Sequence, residues 1–591
     1  MSGSYAVLAV LLVALATVLV GALGLRVSRT TSDFYVASRT VRPGLNGAAI
    51  SGEYLSAASF LGIAGLVLAH GTEMLWYPVG YTAGYLVLLL FVAAPLRRSG
   101  AYTLPDFAEA RLESARVRRV AAAFTLGIGW LYLLPQLQGA GLTLRAATGA
   151  PGWVGGVLVA LVVTANVTVG GMRSITLVQA FQYWLKLTAL LVPLLFLLLA
   201  WHADGAPAAH QGRPVLVRDS VVRIDQQVRV RTAEPIRLTA DGTVDGRTYQ
   251  HAAFTLPPGV HTLGAGTQLD LPAHTPVPTP VDGSAGSPWG RPLTATDEPH
   301  PLYAAYGLIL ATFLGAMGLP HVVVRFYTSP DGRAARRTTL VVLALLGVFY
   351  LLPPIYGALA RIYAPDLVLT GQTDTAVLLL PERLIGGTGG ALLGALLAGG
   401  AFAAFLSTSS GLAVSLAGVL DQDVLPRSGV RGFRLATVLA LAAPTACLLA
   451  APDLPVADTV GLAFAVAASS LSPLLVLGIW WRRLTPPGAI AGAVTGGGAA
   501  LVAALGTMAG WCRGGWAQAL LAWPAVWSVP LGFLVMVLVS LATADRIPPG
   551  TAATMARLHL PEPPRRRPGP PHSRSADAGA GRPDRRAGVS R

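Results

Sequence analysis

The chain has 591 residues, of which 53% are hydrophobic and only 12% are charged. Soluble domains carry about 25% charged residues, so this composition excludes a soluble multidomain enzyme and indicates repeated membrane spans of about 20 apolar residues each. The formal net charge of +15 does not indicate a nucleic-acid partner, because the arginines lie between apolar runs and in the C-terminal tail. The lipid bilayer is therefore the expected surrounding of the protein.

Thirteen apolar runs along the chain are long enough to be membrane-spanning helices. The first run is interpreted as a retained span, because no basic residue precedes it and no clear small-residue cleavage site follows it. In chain order the runs cover about residues 4–24, 43–70, 75–96, 120–143, 152–171, 177–201, 303–324, 338–360, 386–420, 432–452, 457–481, 487–510 and 518–542.

Arginine clusters alternate along the loops between these runs. They follow the first, third, seventh, ninth and eleventh runs; Arg97 and Arg98 follow the third, and Arg482 and Arg483 follow the eleventh. Because positively charged loops stay on the cytoplasmic side of a membrane, the odd-numbered spans are expected to end inside. The sequence therefore predicts a multi-pass protein of the cytoplasmic membrane of a bacterium, with the N-terminus outside and the C-terminus inside.

Two segments do not have the character of membrane spans. Residues 203–302 are polar, follow an outward-running span, and contain short alternating stretches punctuated by Pro, Gly and Asp, a pattern typical of strands and hairpins. They are predicted to form a β-rich extracytoplasmic insert. Residues 544–591 are rich in Pro, Arg, Gly and Ala, and this composition predicts a disordered cytoplasmic tail.

The second run contains the acidic residue Glu53, next to Gly52 and among Ser51, Ser56 and Ser59. Such a stretch is a poor continuous helix, and an interruption here would free backbone carbonyls and amides inside the membrane. An interrupted backbone is tolerated there only where it lines a cavity or binds a ligand, and ionisable residues inside spans are usually functional. The second run is therefore expected to contribute to a binding site.

The seventh run is interrupted in a similar way by Gly315, Gly318 and Pro320. Spans two to six and seven to eleven would then be two five-helix repeats, each starting with an interrupted helix, and such pairs are the best sequence indication of a transporter's binding site. The alternative is that glycine and proline only kink these helices. Residues 1–202 would hold a leading helix and the first repeat, and residues 303–543 the second repeat and two peripheral helices.

The ninth run contains four consecutive hydroxyl residues, Ser407 to Ser410. Some of these hydroxyls are expected to bond back to their own helix. Hard cations prefer oxygen ligands, so hydroxyls beside freed carbonyls would form a neutral site for a cation.

Other polar residues in the runs receive simpler interpretations. Lys186, the only lysine of the chain, lies near the inner end of the sixth run and is expected to extend to the membrane interface. Gln136 and Gln138 in the fourth run are candidates for facing a cavity. His321 is interpreted as a structural hydrogen-bonding residue at a helix end.

Four motifs carry a resemblance to a known family; they are Gly52–Gly62, Gly318–Phe326, Phe405–Gly411 and Val460–Ser469. Through them the chain resembles the sodium:solute symporters, and within these the acetate and short-chain monocarboxylate permeases, over about residues 30–545. The resemblance implies an all-α polytopic fold of about thirteen helices. It further implies a five-plus-five inverted repeat with broken first helices, an extra leading helix and an outside N-terminus.

The resemblance also implies positions for the transported cation and the substrate. Sodium would be bound by carbonyls and hydroxyls of the second and ninth spans, and the substrate would lie beside the two helix breaks. The implied cation-binding residues are Gly52, Leu55, Ala404, Ser407 and Thr408, and the implied substrate-binding residues are Ser56, Ser59, Thr312, Ala316 and Pro320. Sodium would be a transported ion, and no cofactor or further metal is expected.

Two features depart from the acetate branch. Glu53 stands where that branch usually has aspartate, and the insert at 203–302 is much larger than the corresponding loop. Glu53 is therefore a coupling candidate, either as a charge that attracts sodium or as a proton site. A neutral carboxyl group bonded to the helix break is the structural alternative.

The leading functional prediction is a secondary active symporter that takes up acetate or a similar small organic anion with sodium. A carrier for a neutral amino acid or sugar, a proton-coupled carrier and a transporter-like ligand sensor are the alternatives. An enzyme is not expected, because no nucleophile, base or metal ligands cluster and Cys447 and Cys512 lack metal-ligand spacing. The sequence indicates no obligate protein partner, and it leaves open whether the two cysteines pair.

Overall fold

The computed structural model describes residues 3–25, 36–209, 214–224, 227–281, 289, 300–425, 429–450, 456–512 and 514–561. Within these ranges the chain is mostly helical and carries one seven-stranded sheet. The two cysteines are free.

Eleven helical stretches in the described ranges are long and apolar enough to cross a membrane. Two of them are interrupted by a glycine outside helical geometry and each overlap two of the predicted spans: Ala58–Ser99 at Gly71, and Gly152–Ala203 at Gly171. These two glycines have φ values of +80° and +56°, which only glycine adopts without strain. The prediction of about thirteen spans is confirmed.

The helices have the following bounds. The α-helices are Gly3–Leu25, Pro43–Tyr54, Ile63–His70, Trp76–Val87, Ala93–Ser99, Leu104–Leu112, Ala115–Thr148, Gly152–Ala203, Pro301–Gly318, Pro320–Val324, Gly332–Tyr350, Leu352–Tyr363, Asp366–Thr370, Ala376–Leu384, Gly387–Val419, Val430–Ala450, Val456–Trp480, Pro486–Met508, Gly515–Ala522, Ala525–Ala542 and Thr551–His559. The π-helical turns are Ala58–Gly62, Leu88–Val92 and Leu420–Val424. The 3-10 turns are Ala37–Arg39, Gly71–Leu75, Arg325–Thr328, Thr373–Thr375 and Ala544–Arg546.

The two predicted helix breaks are confirmed, and each has a local cause. In the second span the first helix ends at Tyr54, and Leu55 leaves helical geometry with φ −73° and ψ 89°. In the seventh span Leu319 is extended, with φ −70° and ψ 119°, because a residue before proline is disfavoured in the helical region. Pro320 then starts the next helical segment, at the position where its missing N–H costs nothing.

The insert is β-rich, as predicted. Its strands are β1 (Ser220–Arg223), β2 (Val228–Thr232), β3 (Ile236–Val244), β4 (Arg247–Leu256), β5 (Gly259–Leu263), β6 (Gln268–Leu271) and β7 (Thr279–Pro280). All described pairings are antiparallel; the order is β1-β6-β3-β5-β2-β7, and β4 pairs with β3. In β2 apolar and polar residues alternate as in a sheet with one buried face, because Val230 is buried between the exposed Arg229 and Arg231.

The insert is more closely tied to the helices than its sequence indicates. The indole Nε1 of Trp289 donates to the Val67 carbonyl at 2.7 Å, and the Trp289 carbonyl accepts from the Thr72 amide at 2.9 Å. A Cβ atom on Gly71 would lie only 2.0 Å from the Trp289 carbonyl oxygen, so the two backbones are in direct contact. Trp289 therefore stabilises the turn between the second and third spans.

We expect Trp289→Ala to lower the melting temperature of the purified protein clearly, because truncating a buried tryptophan costs about 3–5 kcal/mol. The matched comparison is a chain in which a Gly/Ser linker replaces residues 214–281 and Trp289 is kept; its melting temperature should stay near that of the parent. A larger loss in the linker variant than in Trp289→Ala would show that the sheet, and not Trp289, stabilises the helices.

The predicted start of the disordered tail, at residue 544, is wrong, because the chain stays folded beyond it. Residues 544–546 form a 3-10 turn and Thr551–His559 an α-helix, whose side chains Met555 and Leu558 are buried. Arg98 donates to the Leu558 carbonyl at 3.1 Å. The segment folds because its few apolar residues lie on one face and meet the bundle; residues 562–591 lie outside the described part of the chain.

The arginine-bearing loops meet at one end of the helix bundle. Arg97, after the third span, donates to the carbonyl of Pro330 after the seventh span at 2.7 Å. Arg111 donates to the Gly478 carbonyl, at the end of the eleventh span, at 2.8 Å. The third, seventh and eleventh spans therefore end on the same side, as the positive-inside rule requires.

Candidate functional site

The break in the second span lies against the hydroxyls of the ninth span. The Ser407 hydroxyl has two acceptors for its one hydrogen, the Gly52 carbonyl at 2.7 Å and the Ala404 carbonyl of its own helix at 3.0 Å. The Thr408 hydroxyl donates to the Glu53 carbonyl at 2.6 Å. A helix end leaves its last carbonyls without intrahelical partners, and these two side chains satisfy them from the neighbouring span.

A lysine side chain enters the same place from the sixth span. The ammonium Nζ of Lys186 donates to the carbonyl oxygens of Gly52 and Leu55 and to the Ser407 hydroxyl; the contacts to Leu55 and Ser407 are each 2.8 Å long. Lys186 is 0% exposed. The expectation that it extends to the membrane interface is therefore wrong, and we call its three acceptor oxygens the cage.

The three oxygens of the cage belong to three of the five residues implied as cation ligands. Gly52, Leu55 and Ser407 converge on one point, and the Ala404 carbonyl and Thr408 hydroxyl are used in the contacts beside it. Sequence reasoning brought these residues together but missed the group at their centre. The sequence did contain a signal for this group. Lys186 is the one lysine in a chain that otherwise uses arginine as its basic residue, and it lies inside a span.

Glu53 forms a buried ion pair that the sequence did not predict. The Arg325 guanidinium donates through Nε to Glu53 Oε2, and the two side chains are 0% and 2% exposed. The same guanidinium donates to Thr176 Oγ1 at 3.0 Å and to the Gln179 side-chain oxygen. Glu53 is therefore bonded to a fixed cation at the break, and it does not contact the cage centre through a described hydrogen bond.

Gln179 connects this ion pair to the cage. Its amide Nε2 donates to the Ser407 backbone carbonyl at 2.8 Å, while its oxygen accepts from Arg325. Gln179 and Lys186 are seven residues apart on one helix, so they lie two turns apart on one face. The sixth span therefore positions both the ion pair and the ammonium against Ser407.

Aromatic rings connect the two helix breaks. Ring centroids lie 6.0 Å apart between Tyr54 and Tyr81, 5.0 Å between Tyr81 and Phe464, 5.8 Å between Phe464 and Tyr132, and 5.2 Å between Tyr132 and His321. Tyr54 ends the helix before the first break, and His321 follows the second break. We call these five residues the aromatic bridge.

Several polar atoms in and beside the aromatic bridge have no hydrogen-bond partner among the described residues. They are the hydroxyls of Tyr81 and Tyr85 and both ring nitrogens of His321. Buried polar groups normally have partners, so these four atoms are available for hydrogen bonds to a polar ligand. Tyr77, Tyr81 and Tyr85 recur every four residues in the third span, which was a sequence signal for one polar aromatic face.

The five residues implied as substrate-binding lie in two different places: three at or near the helix breaks, and two in a contact between the third and seventh spans. Ser56 and Pro320 are buried and lie directly at the two breaks, and Ser59 Oγ is 3.0 Å from the hydroxyl of Tyr350. Ser59 lies beside the aromatic bridge, because the Tyr350 ring is 6.0 Å from that of Tyr81, and Pro320 directly precedes His321 of the bridge. Their role in substrate binding stays a prediction.

Thr312 and Ala316 lie in a tight helix contact. A side chain on Gly80 would begin 1.9 Å from Thr312 Oγ1, and one on Gly84 would begin 2.5 Å from the Ala316 Cβ. The Thr312 hydroxyl donates to the Leu308 carbonyl of its own helix at 2.8 Å. These two positions pack the seventh span against the third, as small residues do in membrane proteins.

The two glutamines of the fourth span have different surroundings. The Gln136 side-chain oxygen accepts from the Ala57 amide at 2.9 Å, which satisfies one free N–H of the first break. Both side-chain polar atoms of Gln138 are buried without a hydrogen-bond partner among the described residues. Gln136 therefore stabilises the break.

Comparison with known proteins agrees with this architecture. The profile of the Sodium:solute symporter family matches residues 34–210 and 295–496, on either side of the sheet. The uncharacterized symporter YwcA of Bacillus subtilis is 29% identical over 535 residues, covering 88% of this chain and 90% of that protein. A monocarboxylic acid transporter of Corynebacterium glutamicum is 31% identical over 497 residues, covering 80% and 78%.

A solved structure supports the fold. The substrate-bound, outward-open state of a Na+-coupled sialic acid symporter aligns with a TM-score of 0.59 at 14% identity, covering 90% of this chain and 98% of that one. At this identity the likeness concerns the fold alone. The predicted transporter fold of about thirteen helices with two broken helices is confirmed.

Proposed function

Because the chain belongs to the sodium:solute symporter family, and is a multi-pass cation:solute symporter, we propose that it takes up acetate or a similar small monocarboxylate in symport with a cation. The substrate would lie between the two helix breaks, against the aromatic bridge. The family that the chain belongs to consists of transporters.

The observation that carries this proposal is the charge balance at the first break. Among the described residues there, two cationic side chains, Lys186 and Arg325, accompany one carboxylate, Glu53, and all three are buried. Lys186 has three acceptors for three N–H donors, which fits the ammonium form. A buried net charge is costly unless it is balanced, and one substrate carboxylate would balance it.

The polar atoms of the aromatic bridge support the same substrate class. A carboxylate is an acceptor-only group, and the unpartnered hydroxyls of Tyr81 and Tyr85 are donors. The apolar ring faces around them suit a short hydrocarbon chain. The monocarboxylic acid transporter of Corynebacterium glutamicum, 31% identical to this chain, also supports it.

Sodium is the coupling ion that the resemblance implies, but its implied ligands Gly52, Leu55 and Ser407 are bonded to Lys186. We therefore propose symport with a cation and do not assign sodium to that role. The arginine-rich end is proposed to face the cytoplasm, in keeping with the positive-inside rule.

Counterflow in proteoliposomes tests the substrate without any assumption about the coupling ion. Vesicles loaded with unlabelled acetate should accumulate labelled external acetate transiently, and propionate and pyruvate should compete whereas proline and glucose should not. Exchange of proline or a sugar, together with failure to exchange acetate, would contradict the proposal.

The Tyr85→Phe variant locates the substrate. It removes only an unpartnered hydroxyl, so a purely structural role predicts no loss, whereas loss of a hydrogen bond to a carboxylate is worth about 1.5–3 kcal/mol. We expect the half-saturating acetate concentration to rise about tenfold or more. The matched control is Tyr356→Phe, whose hydroxyl donates to the Leu190 carbonyl away from the breaks. Equal effects of the two variants would remove Tyr85 from the substrate site.

A further inference from the structure

The cage collects the features that a buried cation requires. Two carbonyl oxygens come from the broken backbone at Gly52 and Leu55, and a third oxygen comes from the Ser407 hydroxyl. All three residues are completely or almost completely buried. Oxygen atoms converging on one point in the membrane interior are a cation site whatever the cation is.

The ammonium of Lys186 satisfies this site completely. It has three N–H donors, and the cage offers three acceptors, so no donor is left over. The Gly52 carbonyl and the Ser407 hydroxyl are also bonded to each other at 2.7 Å, which closes the cage on that side. A sodium ion would need the same oxygens at the same point, so the residues do not fit sodium while Lys186 is bound.

The lysine is held in this position by its helix. Gln179, two turns earlier on the same face, donates to the Ser407 backbone carbonyl, and Lys186 donates to the Ser407 hydroxyl. One turn before Lys186, Gln182 donates to Thr17 Oγ1 at 3.0 Å, which fixes the helix against the leading span. The ammonium is therefore attached to a helix whose rotation is set from two sides.

We propose that Lys186 is a built-in cation: its ammonium takes the place that sodium would have in the cage, and the protein binds no sodium there. The inference deepens the proposed cation:solute symport, on which it rests, but it does not depend on which solute is carried. It follows that the cation of the transport cycle is not a metal ion bound by Gly52, Leu55 and Ser407. The attached charge would instead balance a substrate carboxylate, and the cation carried in the proposed symport would be bound outside the cage.

Direct binding of radioactive sodium tests the proposal without any substrate. The parent protein in nanodiscs should show no saturable binding of ²²Na⁺ that depends on Ser407. Lys186→Met keeps the length of the side chain up to the carbon before Nζ and leaves the cage open, so it should gain a saturable site, with sodium affinity at least tenfold above the parent. The double variant Lys186→Met/Ser407→Ala should lose this gain.

Two further variants keep the test decisive. Lys186→Ala provides a second open cage if methionine obstructs the ion, and Leu195→Ala, at an exposed position of the same helix, should bind no more sodium than the parent. Each variant is compared at equal yield of monodisperse protein. Saturable sodium binding by the parent that Ser407→Ala removes would overturn the proposal, as would absence of sodium binding in both folded Lys186 variants. Because no transport is measured, a failed acetate assay would not affect the result.

Discussion

Arg325→Met should lower the stability of the protein by about 3–5 kcal/mol and abolish transport. The reason is the ion pair with Glu53, in which both side chains are essentially unexposed. Removing one partner of a buried pair leaves the other charge uncompensated, which is the costly case. Arg325 also holds Thr176 and Gln179, so the sixth span loses these two contacts with the ion pair at the same time.

The double variant Glu53→Gln/Arg325→Met separates charge from packing. Because neither partner is then charged, its melting temperature should recover part of the loss, although transport should stay low. Arg434→Met is a matched control, since that exposed arginine donates to the Thr168 carbonyl at 2.9 Å and has no described carboxylate partner. An Arg325→Met protein that melts at the parent temperature and still exchanges acetate would contradict the role given to the pair.

Gly411→Ala should reduce counterflow at least a hundredfold. A methyl group on Gly411 would begin 1.9 Å from Glu53 Oε1 and 2.1 Å from Glu53 Cδ. The carboxylate cannot move aside without leaving Arg325, because it is held in a buried ion pair. Overpacking alone typically costs about 1–3 kcal/mol, and displacement of the pair adds to it.

The shorter side chain of aspartate offers a rescue. Glu53→Asp in the Gly411→Ala background withdraws the carboxylate by one methylene and should restore part of the exchange rate. Gly399→Ala lies on the same helix, where the nearest atom to a new methyl group would be Val13 Cγ2 at an ordinary 3.4 Å, so it should leave the rate unchanged. Similar losses in Gly411→Ala and Gly399→Ala would show that the effect is not specific to Glu53.

The helix breaks could be predicted from sequence because their causes are local. Pro320 restricts the residue before it, and the Gly52–Ser56 stretch is a poor helix in a run that is otherwise apolar. The convergence of Gly52, Leu55 and Ser407 came only from the family resemblance, since no local pattern brings together residues as far apart in the sequence as Gly52 and Ser407, which are 355 positions apart.

The position of Lys186 could not be predicted because it depends on where its span begins. The sequence places the sixth span at about residues 177–201, which puts Lys186 near one end. The helix in fact starts directly after the turn at Gly171 and runs to Ala203, so the lysine lies about 21 Å along it, near mid-depth. At that depth the side chain cannot reach the interface, and it bonds to the break instead.

Arg325 was missed for a similar reason. The sequence treats it as the end of the seventh span, whereas the 3-10 turn Arg325–Thr328 keeps it buried beside the second span. The partner of Glu53 is thus set by the packing of the two broken helices against each other, which a single sequence does not reveal.

The most direct test of the account is acetate uptake with and without sodium. Proteoliposomes of the parent protein, at fixed pH, are measured in sodium medium and in medium where potassium or choline replaces sodium throughout. With Lys186 as the resident cation of the cage, the initial rates should agree within about twofold, or differ by the same factor in Ser407→Ala as in the parent. A sodium requirement of tenfold or more in the parent, lost on Ser407→Ala, would contradict the account.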